Sequence, residues 1–92
     1  MVGYMDGFVG TICISRAGHD KGMFYLIVRE LDKNHVGVAN GRNRTMAKPK
    51  RKNIRHLYVT RARVEEVERL LNHEPVGGNL KLVAILDAVQ RG

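Results

Sequence analysis

Apolar residues between positions 8 and 46 come in short stretches at a spacing of two, cut by glycine-containing turns, whereas residues 61 to 90 lack that punctuation. A spacing of two marks strands, and a spacing of three to four marks helix. Phe8, Ile12 and Ile14 alternate with Val9, Thr11, Cys13 and Ser15, the pattern of a half-buried strand with Gly10 on its inward side. The turn Arg16-Ala17-Gly18-His19-Asp20-Lys21-Gly22 follows, its glycines free to take positive φ. A second strand is predicted from Met23 to Arg29. Its run Phe24-Tyr25-Leu26-Ile27-Val28 is apolar on both faces, as befits a central strand.

After the turn Asp32-Lys33-Asn34, the segment His35-Val36-Gly37-Val38-Ala39 reaches Asn40-Gly41, a strong hairpin signal. A two-residue turn there would pair Ala39 with Arg42, Val38 with Asn43, Gly37 with Arg44 and Val36 with Thr45. Val36 and Val38 would then face inward, leaving Arg42 and Arg44 outside opposite small residues. Lys48-Pro49-Lys50-Arg51-Lys52-Asn53 has nothing apolar to bury and reads as an exposed loop. A last strand, Arg55 to Thr60, puts Leu57 and Val59 on one face and His56 and Tyr58 on the other. Five short strands in so few residues are better closed into a barrel than left with two open edges.

Beyond it, Val64, Val67, Leu70 and Leu71 form a helical stripe from Arg61 to Asn72, with Thr60 as N-cap and Pro75 and Gly77-Gly78 as its end. Leu80, Val83 and Leu86 suggest a second helix to Gln90, started by Asn79. The expected plan is mainly β with C-terminal α: a barrel over residues 1–60 with a basic loop at 42–55, then a helical extension over 61–92 packed on it.

Charge changes this picture from a fold to a partner. The 92 residues carry a net charge of +7, and the stretch from Lys33 to Arg63 holds ten basic residues and no acidic one. Such a run points to an anion-binding surface, with nucleic acid foremost. The single Cys13 cannot form an internal disulfide, the N-terminus has no basic-then-apolar signal pattern, and no apolar run is long enough to span a membrane. A cytoplasmic location fits. His19, His35, His56 and His73 lack metal-ligand spacing, the acids form no paired site, and no phosphate-binding glycine motif precedes a helix. No catalytic residue, metal or cofactor is therefore expected.

At Gly10-Thr11-Ile12-Cys13-Ile14 followed by Ala17-Gly18-His19-Asp20-Lys21-Gly22 and an apolar strand, the chain resembles the KOW motif, with Gly22 as its central glycine. The order continues through Asp32, Val36-x-Val38, Asn40-Gly41, the basic loop and His56-Leu57-x-x-Thr60. Over residues 8 to 60 it resembles large-subunit ribosomal KOW proteins of the archaeal and eukaryotic 14e and 27e types, and small bacterial relatives share the Lys-Pro-Lys-Arg-Lys loop. The resemblance implies an SH3-like five-stranded barrel that binds structured RNA, usually within a ribonucleoprotein, with residues 18–21 on the RNA.

The expected interface combines phosphate-binding Arg42, Arg44, Lys48, Lys50, Arg51, Lys52 and Arg55 with His19 and Lys21 of the first turn, and His56 and Tyr58 as stacking platforms. The expected partner is RNA, ribosomal RNA in particular, with ribosomal or other translation proteins as further partners and a monomer off the RNA. Arg42 and Arg44, held on a rigid hairpin, should each matter more than Lys48 and Lys50 in a mobile loop, all four standing in solvent. About six phosphate contacts would cost roughly 2.5 to 3 decades of affinity between 50 and 200 mM salt. The competing class is a protein-interaction module of the transcription or translation machinery, favoured if Leu82 and Val89 are exposed. Binding to an anionic membrane fits less well, because no amphipathic helix carries the basic run.

Overall fold

The computed structural model describes residues 7–65, Val67 and residues 75–92. Five strands appear in chain order, β1 (Thr11–Ser15), β2 (Phe24–Glu30), β3 (His35–Ala39), β4 (Lys50–Asn53) and β5 (Leu57–Arg63), followed by helix α1 (Pro75–Arg91). All ladders are antiparallel in the order β4-β3-β2-β1-β5, so β2 is central as its two-faced apolar run predicts. The chain thus forms a five-stranded antiparallel sheet with a C-terminal helix, mainly β with C-terminal α.

Strands β4 and β5 lie at opposite edges of this order, yet only the 3-10 turn Ile54–His56 separates them in sequence. Laid flat, five strands would put their edges about 19 Å apart at roughly 4.8 Å per step, whereas a three-residue 3-10 turn advances about 6 Å. The sheet therefore rolls up until the end of β4 meets the start of β5. Its inner face is the cluster Cys13, Tyr25, Ile27, Val36, Val38 and Leu57, with Phe8, Ile54 and Val59 packed against it. The outer face carries Ile12, Leu26, Val28 and Ala39 and is covered by Met46, Val67, Leu82 and Leu86. Burying Leu82 and Leu86 there stabilises the docked helix by about 1.5–3 kcal/mol each.

Several expectations are corrected. Strand β1 is buried on both faces rather than one, and Phe8 joins the Cys13 side while Val9 joins the Ile12 side. Gly10, at φ +94°, interrupts the extended backbone and resets the alternation before Thr11. Val36 and Val38 do face inward, but no two-residue hairpin forms at Asn40-Gly41: β3 pairs with residues 50–53, in the register Val36↔Lys52 and Val38↔Lys50. A type I′ turn needs positive φ at both residues, and only Gly41 has it, at +81°. Asn40 is instead the hub of a ten-residue loop, its buried Oδ1 accepting from the backbone N–H of Arg42 (2.9 Å) and Arg44 (3.1 Å).

The expected exposed loop at 48–53 is in fact strand β4 from Lys50 onward, with Lys52 buried. Strand β5 runs on to Arg63, so the helix expected from Arg61 does not begin there, and its remainder up to Asn72 falls largely outside the described residues. Thr60 caps nothing: its hydroxyl donates to the Ile12 carbonyl at 2.6 Å and accepts from the Ala62 N–H, patching a bulge in the β1–β5 ladder. The Arg63 guanidinium holds the Gly7 and Val9 carbonyls and the Thr11 hydroxyl. Helix α1 opens at Pro75, where the fixed φ suits a first turn, and passes through Gly77-Gly78. Burial of its apolar side outweighs the roughly 1 kcal/mol cost of each glycine. Asn79 lies inside the helix, and its Oδ1 accepts from the Met46 N–H at 3.0 Å, tying the 40–49 loop to α1. Among the described residues no helix is long and apolar enough to cross a membrane.

Candidate nucleic-acid interface

The rolled sheet gathers three irregular segments at one end of the barrel, the β1–β2 turn, the 40–49 loop and the 3-10 turn, around strand β4. The β1–β2 turn, residues 16–23, reverses on Gly18 and Gly22 with φ of +84° and +92°. The 3-10 turn joins it through the Arg16 N–H, which donates to the His56 carbonyl at 2.8 Å. Strand β4 joins it through Lys50 and Lys52, and the 40–49 loop joins it where Arg44 lies close enough to bear on the Tyr25 hydroxyl.

At the centre stands Asp20. Alternation along β4 sends Lys50 and Lys52 inward beside Val36 and Val38 and sends Arg51 outward. The lysine stems lie along the apolar interior, and their ammonium groups converge on one carboxylate. Lys50 Nζ donates to Oδ2 at 3.0 Å and Lys52 Nζ to Oδ1 at 2.9 Å, while Ser15 Oγ donates to Oδ1 at 2.7 Å and the Tyr25 hydroxyl to Oδ2 at 2.8 Å. Lys52 also donates to the Ala17 carbonyl. Burial alone would raise the Asp20 carboxyl, but the bonds from Lys52, Ser15, Lys50 and Tyr25 outweigh it and hold the group far below the ordinary carboxylate range. Burial first, then the bond to Asp20, pushes the Tyr25 hydroxyl up to about 12. Cys13 lies inside the barrel, where burial pushes its thiol up to about 12 against the opposing charge of Lys52, so it is neutral and unreactive.

Lys50 and Lys52 therefore serve to close the barrel before they serve any ligand. Their placement in an exposed, mobile loop is overturned, and with it the comparison that put Lys50 in solvent and Arg42 and Arg44 on a rigid strand. The two arginines are exposed but belong to the irregular 40–49 loop; Arg42 reaches Asp87 of α1 at 3.6 Å. The site expected from sequence divides accordingly. His19, Lys21, Arg42, Arg44 and His56 are exposed in the three converging segments around the Asp20 cluster. Arg51 points outward, held at 3.1 Å by Asp32 of the β2–β3 turn. Backbone and side-chain bonds from Asn34 and His35, with Arg51, lower the Asp32 carboxyl to about 2. Lys48 and Arg55 are exposed on their loop and 3-10 turn. Tyr58 is 61% exposed and opposite Ile14, which in turn pairs with Phe24, so an outer row Phe24–Ile14–Tyr58 crosses β2, β1 and β5.

Sequence reading missed Arg16, which is exposed next to His56 but falls outside the acid-free run between residues 33 and 63. It also missed Asp20 as the counter-ion of the inner lysines. The exposure of Leu82 and Val89 that would favour a protein-interaction module is not seen: Leu82 is fully buried and Val89 is partly buried against the outer core. No family model matches this chain.

Proposed function

We propose that this protein binds RNA, engaging the phosphate backbone with the cationic end of its barrel, and that it works with the ribosome or as a ribosomal-protein-like component in the cytoplasm. One observation carries the reading: Arg16, Lys21, Arg42 and Arg44 are exposed in segments that meet around Asp20, whose carboxylate is already saturated by internal donors. Among the described residues, the acid paired with one of these cations is Asp87, half-exposed on Arg42. Helix, loop and turn thus hold several guanidinium and ammonium groups ready for phosphates, which exchange readily with an exposed pair. RNA rather than DNA rests on the resemblance of residues 8–60 to KOW proteins, since positive charge alone does not separate the two polyanions. Tyr58 and His56, both exposed, would supply platforms for unstacked bases.

Fluorescence anisotropy with a labelled fragment of structured ribosomal RNA tests this. Arg16→Ala with Arg44→Ala is expected to weaken binding at least tenfold at 100 mM salt, while Arg51→Ala with Lys33→Ala, which removes two exposed cations at or beside the β2–β3 turn, weakens it less than threefold. Equal losses would show that only total charge counts, and no binding by the unmodified protein at low salt would end the RNA reading.

A further inference from the structure

Between the β1–β2 turn and helix α1 lies an open groove of about 400 Å³, within the size range of small-ligand sites. Its lining is mixed in a definite way. Met23, 39% exposed, and the half-buried Phe24 offer apolar surface; Lys21 and Arg42 bring positive charge; Asp87 and Gln90, one turn apart on α1, bring hydrogen-bonding groups. Each kind of group matches one part of a nucleotide: an aromatic and a thioether for the base face, cations for the phosphate, and a carboxylate and an amide for the base edge.

Resting on the RNA reading above, we infer that this groove receives a single unstacked nucleotide of the bound RNA, and that it favours a base carrying an exocyclic amino group over uracil. Selectivity follows from Asp87. Its carboxylate only accepts hydrogen bonds, so it pairs with the amino group of cytosine, adenine or guanine, whereas uracil's one edge donor, N3–H, stands between two carbonyls that repel it. In the free protein Arg42 Nη2 sits 3.6 Å from Asp87 Oδ2, with the two side chains 65% and 46% exposed. A pair so exposed is weak. A phosphate drawn to Lys21 and Arg42 would pull the guanidinium away and release the carboxylate to the base, so that phosphate contact and base reading are coupled through one side chain.

The homopolymers C9 and U9, single-stranded RNA nonamers of equal charge whose bases differ in the group at position 4 and in the proton on N3, provide the test. C9 is expected to bind about tenfold more tightly than U9, with the same salt slope, in line with the discrimination of one good base-edge pair. Asp87→Asn, whose amide both donates and accepts, should bring the two within threefold. Gln90→Trp, an exposed helix position whose ring would fill the groove, should do the same. Equal, salt-dependent binding of C9 and U9 by the unmodified protein would overturn the groove and leave the RNA reading intact. Full retention of the C9 preference in both variants would place the selectivity elsewhere and equally overturn it. No binding of either nonamer at low salt, with structured RNA still bound, would show that the groove takes no free single strand and would end this inference; failure with all three RNAs would end both.

Discussion

Asp20 decides how much of the basic run is available to a ligand. Its carboxylate faces two ammonium groups, one of them, Lys52, only 8% exposed. Removing the acid leaves that ammonium buried without a counter-charge, which costs about 3–5 kcal/mol, so Asp20→Ala is expected to lose that much in urea denaturation. Lys52→Met should cost far less, because Lys50, Ser15 and Tyr25 still hold the carboxylate and methionine replaces the apolar stem. Acid adds a second expected outcome. The folded carboxyl lies far below its ordinary range, while in the unfolded chain it takes up a proton near pH 4. The stabilisation is thus fully present above about pH 4 and drains away as pH falls below it. Denaturation midpoints between pH 6 and 2 should fall more steeply for the unmodified protein than for Asp20→Asn; equal slopes would remove Asp20 from the acid response. Nothing in the local sequence shows this pairing. A strand announces itself by apolar alternation, and in Lys50-Arg51-Lys52 the inward positions are lysines, which alternate only once β3 supplies the register.

At the scale of elements, the strands of the first half were legible because their cores are apolar at a spacing of two, and β2 because it is apolar throughout. The segment after Ala39 was not. Asn40-Gly41 has the composition of a two-residue hairpin, but Asn40 uses its side chain to fold the 40–44 loop, and Asn79 and Val83 of α1 pack over Gly41. A local signal lost to a helix some forty residues away. Thr60 shows the same competition, its hydroxyl serving a bulge in β5 instead of a helix start. Glycine substitutions measure how far the helix dictates the loop. Gly22 and Gly41 have similar φ, +92° and +81°, so the backbone cost of alanine is alike, about 1 kcal/mol or a little more. Only at Gly41 would the new Cβ collide, at 2.5 Å from the Asn79 carbonyl oxygen and 3.0 Å from the Val83 side chain, whereas at Gly22 nothing lies within 4 Å. Gly41→Ala is expected to cost at least about 2 kcal/mol more than Gly22→Ala in chemical denaturation. Equal costs would mean that α1 yields to the loop.

For the whole molecule, the count of basic residues overstates the charge a polyanion can meet. Of the ten cations from Lys33 to Arg63, Lys50 and Lys52 are spent on Asp20, Arg51 stands beside Asp32 of the β2–β3 turn and outside the Asp20 cluster, and the Arg63 guanidinium binds backbone carbonyls and a hydroxyl near the N-terminus. The barrel end presents Arg16, Lys21, Arg42 and Arg44 instead, two of them from outside that run. Charge order along the chain therefore differs from charge order on the surface, because folding brings the β1–β2 turn to the 40–49 loop and sends Lys50 and Lys52 of β4 inward. With about four phosphates contacted instead of six, and a slope of 0.7 to 0.9 per contact, RNA affinity should fall by roughly 1.7 to 2.2 decades between 50 and 200 mM salt. The same accounting separates the inner lysines from the outer arginines. Lys52→Met removes a charge that meets no phosphate and should leave the salt slope unchanged, whereas Arg44→Ala should lower it by close to one contact. A slope that falls equally in both variants would mean that Lys52 leaves Asp20 for the RNA, and that the barrel end opens when it binds.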